Sequence, residues 1–313
     1  MPRLIPPPQD DGVIDLDALV DWCESAAFDP RDPEGLAVAA PMLQALGRNR
    51  DFLADFAIAE LKTRCAGQRR DNPYSAQVML LRPPTGKYVL RAAFWPAQND
   101  HVVRMSGPAP FLYHVPHDHG FDFLTTGYLG PGYGSDYYSY DGDVAGAAGE
   151  AVALRFVERS YLTEGRTLLY RANRDIHAQL PPSSLSVSLN ILASAPDQGW
   201  RRQYRFDIGN GAIAQCMTVA SAQLLLELAV GCGSGNAMDL AQDFARAHPH
   251  DAMRRTAFDA IGMAMADEAA RHAHWEQGAR SDSALVRHGA QAALRNVRNG
   301  LDSACLHPAG TLG

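Results

Sequence analysis

Cysteine is sparse in this chain. The five residues, Cys23, Cys65, Cys216, Cys232 and Cys305, are scattered, odd in number and never spaced CxxC. That pattern excludes a disulfide scaffold and a cysteine zinc knuckle. A run of roughly eighteen apolar residues, the length a transmembrane helix needs, is missing as well. So is positive charge in excess: the formal net charge is −7. No basic surface for a phosphate backbone is implied, and nucleic acid is not expected as a partner. The opening MPRLIPPPQDDG is proline-rich and acidic, without the apolar core of a secretory signal. These absences lead to the expectation of a reduced, cytoplasmic protein with no membrane partner.

What is present suffices for a large core. Hydrophobic residues make up 46% and charged residues 20% of 313 positions, the balance of a globular chain of one large or two ordinary domains. Residues 1–74 read as a small helical layer. VIDLDALVDWCESAAF (13–28) has helical spacing, with Asp15 as its cap. PEGLAVAAPMLQALGRN breaks at Pro41, and RDFLADFAIAELKTRCAG (50–67) carries an apolar stripe of Phe52, Phe56, Ala59 and Ile58 or Leu61, ending at Gly67.

From residue 75 to 211 the texture changes to short strand candidates punctuated by glycine and proline. They are the pair in SAQVMLLRPPTGKYVLRAAFWPAQ, then FDFLTTGYLG, AVALRFVERSYL, GRTLLYRA, SLSVSLNILAS and WRRQYRFDIG. The expected fold class is α+β: a central antiparallel β-sandwich or barrel, flanked by the N-terminal helices and a C-terminal helical bundle or short stack of helical pairs. The C-terminal domain is set at 212–313. Its first helix, IAQCMTVASAQLLLELAVG, is apolar nearly all round at Leu224, Leu225, Leu226 and Leu228, which predicts burial.

The chemistry concentrates in HVPHDHGFDF, residues 114–123, where three histidines fall within six residues. His117 and His119 are two apart, so on a strand both imidazoles point to one side and can reach one metal. Phe121, Phe123 and Thr125 follow on the same parity. Two ligands seldom hold a catalytic metal. The central region has only His101, His114, His117, His119 and His177 to draw on, and the best third ligand is His177, between two strand candidates. His114 is the spare, suited to the entrance or to a bound anion. Imidazole suits iron, nickel, copper and zinc alike.

PHDHGFDFLTTGYLGPG and EGRTLLYRANRDIHAQ together resemble the two motifs of the cupin superfamily, over roughly residues 75–210. The first matches the HxH and the glycines; the second matches the opening Gly165 and the closing histidine. The resemblance implies a double-stranded β-helix, a cupin-like barrel, with His117, His119 and His177 as metal ligands. It departs from the pattern where the glutamate of the first motif would fall at Phe123 or Leu124. Asp122 would reach the site only through a bulge. The second motif lacks its usual turn, with Arg171 and Asn173 near those places. A three-histidine site, as in cupin-like thiol dioxygenases, is what this implies.

By that resemblance the leading function is a non-heme iron(II)-dependent oxygenase. Its substrate would be small and polar or amino-acid-like, free or within a peptide. Zinc, nickel and manganese stand as alternative metals, and a 2-oxo acid cosubstrate is left open. Two other readings stand beside it: an isomerase or lyase using a non-redox metal, and a non-enzymatic sensing or interaction module. Around the ligands, Arg171 and Arg174 are candidates to hold a substrate carboxylate, Gln179 shares the parity of His177, and Tyr128 joins Phe121, Phe123 and Tyr170 as cavity wall or core. Asp175 is a candidate to orient a ring N–H.

The segment 127–150, with four glycines and five tyrosines in its first fourteen residues, reads as a lid, a partner-binding loop or a packed Ω-loop. GCGSGN (231–236) reads as a helix–helix turn. His272 and His274 sit in a helical stretch, where side chains two apart diverge. The helical flanks offer surfaces for a homodimer or a protein partner.

Overall fold

The computed structural model describes residues 1–25, 28–140 and 144–298. The chain forms two compact units, one of residues 1–142 and 151–217, the other of 143–150 and 218–313. Among the described residues, no helix is long and apolar enough to cross a membrane.

The first unit begins with strand β1 (Arg3–Ile5) and five helices, α1 (Leu16–Glu24), α2 (Pro33–Ala37), α3 (Ala40–Arg48), α4 (Phe52–Lys62) and α5 (Ala66–Asp71). Asp15 caps α1 by accepting from the Ala18 N–H, and Asp32 caps α2. Pro41 falls in the first turn of α3, where a proline costs no hydrogen bond. The stripe expected on α4 is buried only at its start, where Phe52 enters the core and Phe56 packs against it, while Ala59 is exposed. Phe52 and Leu53 enter the core while Ile58 and Leu61 are exposed, and Gly67 lies inside α5 instead of ending α4.

Then come β2 (Val78–Arg82), β3 (Tyr88–Trp95), α6 (His101–Ser106), β4 (Phe123–Leu129), β5 (Gly134–Ser139), β6 (Arg155–Tyr161), β7 (Thr167–Tyr170), β8 (Ile176–Leu180), β9 (Ser186–Ala193), β10 (Tyr204–Asp207) and β11 (Ala212–Cys216). They form an antiparallel six-stranded sheet, β1-β7-β4-β9-β3-β2, a three-stranded sheet, β6-β5-β8, and a pair, β10-β11. The six-stranded sheet is buried on both faces. One face packs on the N-terminal helices through Leu43, Leu46, Phe52, Leu90, Leu124, Tyr128 and Ile191. The other shares a second core with the three-stranded sheet through Val89, Trp95, Phe123, Tyr137, Leu168 and Tyr170.

The expected barrel is not formed. Among the described residues no sheet closes: β1 at one edge of the large sheet pairs with β7, and β2 at the other edge pairs with β3. The α+β class holds, as helices over antiparallel sheets. The error has a physical origin, since strands of an open sandwich and of a barrel carry the same period-two pattern and differ only in their ladder partners.

Three local expectations change as well. Gly134–Ser139, in the tyrosine- and glycine-rich segment, is the central strand of the three-stranded sheet, with Tyr133 and Tyr137 buried, not a lid. Gly132 permits the turn before it: its φ is +85°, and a Cβ there would lie 2.2 Å from the Leu162 carbonyl oxygen. Residues 141–143 of that segment lie outside the described residues. His177 lies between β7 and β9 as expected, but within a further strand, β8. Residues 212–216 are strand β11 where a helix was expected.

The second unit holds α7 (Ser221–Gly231), α8 (Gly235–Ala247), α9 (Asp251–Ala264), α10 (Glu268–Gly278) and α11 (Ala284–Arg298). GCGSGN is a helix–helix turn, with Ser234 capping α8. The predicted burial of α7 is overturned: Leu224, Leu225 and Leu228 are 60%, 64% and 64% exposed, and only Leu226 and Val230 are buried.

Candidate metal centre

His117 and His119 precede β4 in an irregular segment. What fixes them is a bridge. His117 pairs with His177 on β8 and with Arg205 on β10, linking the three-stranded sheet to the two-stranded one. The strand expected to run through both histidines is absent, yet the imidazoles converge. Asp118, between them, turns its carboxylate the other way and anchors the segment. It accepts from the Tyr204 N–H at 2.6 Å and from the Asn173 side-chain amide at 3.1 Å. Burial pushes its pKa up to about 6, against the pull of those donors.

Among the described residues, His117, His119 and His177 bring their ring nitrogens within 4.8 Å of one another. The Nε2 atoms of His119 and His177 are 3.1 Å apart, and those of His177 and His117 are 3.3 Å apart. Two imidazoles bound at about 2.0–2.1 Å to one ion have nitrogens about 2.9–3.4 Å apart, from octahedral to tetrahedral angles. Both distances fit.

The proton inventory points the same way. His117 Nδ1 donates to the Val115 carbonyl at 2.8 Å, which leaves Nε2 as a bare lone pair. If His177 Nε2 carries a proton, it satisfies His117 but meets the N–H donors of Gln179, whose Nε2 stands 3.0 Å away. If it does not, two lone pairs face each other across 3.3 Å. A cation among the three resolves the lone-pair conflict. Burial drives the His117 pKa down to about 4 and holds His119 and His177 well below the ordinary histidine value, so all three rings are neutral, as ligands must be.

Aromatic rings enclose the cluster. Phe123 meets His119 edge-on at 4.8 Å, Phe121 lies 5.2 Å from it, and Tyr170 stacks on Phe123 at 4.3 Å. The Tyr170 and Tyr137 hydroxyls bond to each other at 2.7 Å.

The other predicted site residues divide. Gln179 is buried beside His177, and its Oε1 has no hydrogen-bond partner. Tyr128 belongs to the opposite core, where its hydroxyl donates to the carbonyls of Asn49 and Arg50 and its ring meets Phe52. Its even parity on β4 puts it on the helix-facing side. Arg171 is engaged by Asp175 through its backbone N–H, Nε and a terminal nitrogen. That contact also takes Asp175 away from any imidazole. Arg174 is exposed. Asp122 accepts from the Ala172 N–H at 2.6 Å and does not join the cluster. His114 is exposed, with a left-handed φ of +60°. Asp118 and the Val115 carbonyl were missed. An acidic residue between two histidines was the available signal for the first; a backbone acceptor leaves none.

No protein-family profile matches the chain, and no curated protein matches it. Solved structures to which it is similar include an RmlC-like cupin protein from Ralstonia eutropha, at 14% identity over 50% of this chain and 78% of that one, with a TM-score of 0.24. The DMSP lyase DddQ from Ruegeria pomeroyi is 11% identical over 62% of this chain and 79% of its own, with a TM-score of 0.23. The 11S allergen from Cocos nucifera is 14% identical over 63% and 44%, with a TM-score of 0.24. The three imidazoles, not these likenesses, carry the functional reading.

Proposed function

We propose that the chain is a metal-dependent enzyme whose divalent transition metal is held by His117, His119 and His177, and that its chemistry is that of a non-heme iron(II) oxygenase. The observation that carries it is the convergence of three neutral, buried imidazoles whose Nε2 atoms stand 3.1 and 3.3 Å apart, with the His117 Nε2 left as a lone pair. When bound, iron(II) supplies a redox-active Lewis acid whose charge no protein carboxylate cancels, suited to an anionic substrate and oxygen chemistry.

The chain's own residues do the rest. The Val115 carbonyl fixes the His117 tautomer. Asp118 holds the segment that presents both histidines. Phe121, Phe123 and Tyr170 keep water from the cluster, which strengthens every electrostatic contact inside. Gln179 presents an amide with a free oxygen to whatever binds beside His177.

The test is metal analysis of the full chain purified without added metals, followed by anaerobic spectroscopy and an oxygen electrode with small amino acids, thiols and organic acids. The expected result is one transition metal per chain and substrate-dependent oxygen uptake by the iron form. Full activity of the zinc form under strict anaerobiosis would reassign the chain to an isomerase or lyase.

A further inference from the structure

Arg91 lies in the middle of β3, between Val89 and Ala93, whose side chains belong to the core shared with the three-stranded sheet. By strand alternation Arg91 faces the same side. Its register partner on β9 is Asn190, and the partner of Asn190 on β4 is Thr125. The three form a polar row across neighbouring strands of an otherwise apolar inner face.

The row is satisfied only at Asn190, whose side-chain amide donates to the Arg91 and Ser188 carbonyls at 3.4 Å. The Nε of Arg91 and the Oγ1 of Thr125 are buried without a hydrogen-bond partner, and Thr125 is 0% exposed. No carboxylate among the described residues answers the guanidinium. The groups that act on it are the phenols of Tyr74 and Tyr133, and the Tyr74 ring lies 4.8 Å from it. Burial pulls the Arg91 pKa below its ordinary value. A half-buried guanidinium that has a phenol for a partner and no carboxylate is costly, and an apolar side chain of similar volume would pack there at less expense. A planar fork whose Nε has no partner and which meets no carboxylate suits one class of ligand, a carboxylate or similar oxyanion.

The row also adjoins the histidines. Thr125 is two residues beyond Phe123 on one face of β4, and the Phe123 ring touches His119. The backbones of Arg91 and Thr125 are two strand spacings apart, about 10 Å, a span suited to an acid of a few carbons.

We infer that Arg91 anchors the carboxylate of a small organic acid, with Thr125 as a second contact, and that the acid's reacting end lies toward the three imidazoles. The direction of that end rests on the proposed metal centre; the anchoring does not. Propionate and succinate, with propionamide and succinamide as uncharged controls, are titrated by calorimetry into the full chain, metal-free and again after cobalt(II) loading. The acids should bind both forms and the amides neither. Arg91→Gln should weaken the acids about 30-fold and Arg91→Lys about 10-fold, the loss of a charge-assisted fork, while cobalt content stays unchanged. If R91Q does not fold, R91K decides. Equal affinity in wild type and the folded variants, or no binding of either acid to wild type, overturns the assignment. Failure of wild type to take up cobalt, with acid binding intact, overturns the metal reading alone.

Discussion

His117 and His177 exchange both backbone hydrogen bonds, each N–H donating to the other's carbonyl at 2.9 Å, while their Nε2 atoms stand 3.3 Å apart. The peptide pairing holds the ligands together independently of the imidazoles. Alanine at 117, 119 or 177 should therefore leave the fold in place and cost at least about 100-fold in metal affinity, read as metal retained after dialysis. His114→Ala should retain it fully, since that side chain is exposed. Stoichiometric metal in the His177 variant would contradict the three-histidine centre.

Asp118 supports the pair from behind. Asp118→Ala removes the acceptor of the Tyr204 N–H and one of two from the Asn173 amide, which keeps the Arg202 carbonyl, and should cost about 1–3 kcal/mol in urea unfolding and roughly 10-fold or more in metal affinity. Asp118→Asn keeps an acceptor for Tyr204 and should lose less on both measures. Unchanged urea midpoints in D118A would show that the segment is held by other contacts.

The pH dependence has a definite sign. The folded pKa of His117 is lowered to about 4 by burial, against about 6.5 unfolded. Its neutral form is the folded form, so its contribution is complete above about 6.5 and is lost as pH falls toward 4. For this ring alone the loss is about 3 kcal/mol, with His119 and His177 acting in the same direction. Metal-free protein should lose urea stability across that window, and the three-alanine variant should lose markedly less.

Tyr128→Phe and Arg171→Ala should cost about 1–2 kcal/mol each through lost hydrogen bonds and leave metal content intact. The first frees the Asn49 and Arg50 carbonyls; the second takes the guanidinium from Asp175, which keeps the N–H of residue 171 and the N-terminal amine. A fall in metal content in either, with melting unchanged, would return these residues to the site.

In the second unit, His274 stacks on Phe258 at 3.9 Å and its Nε2 donates to the Phe258 carbonyl at 2.8 Å. His274→Ala should lower thermal stability by about 1–3 kcal/mol with metal content unchanged. His272 is exposed beside Glu276, and its replacement should change neither quantity.

Much of this was legible before the fold. Strand alternation and helix caps are local, so β2, β3, β4, β7 and β9, the cap at Asp15 and the turn at GCGSGN follow from the chain itself. The cluster of His117, His119 and His177 was legible from residue type and scarcity. Ladder partners are not local, which is why sandwich and barrel looked alike. Tyr128 was misplaced because its face is decided by the parity of β4, and proximity in sequence to the histidines said nothing of that. Arg91 carried a signal that went unread: a charged residue on the same parity as Val89 and Ala93. Helix α7 shows the reverse failure, where apolar composition predicted burial that the packing does not provide.

The ligands come from segments 58 and 60 residues apart, and neither segment holds more than two of them. A site so divided cannot form in an unfolded or half-folded chain, because loop closure must come first. A metal held by all three imidazoles would therefore meet this chain late, after the two sheets have met. It should slow unfolding far more than it speeds refolding, and act as a lock on the finished sandwich instead of a seed for it.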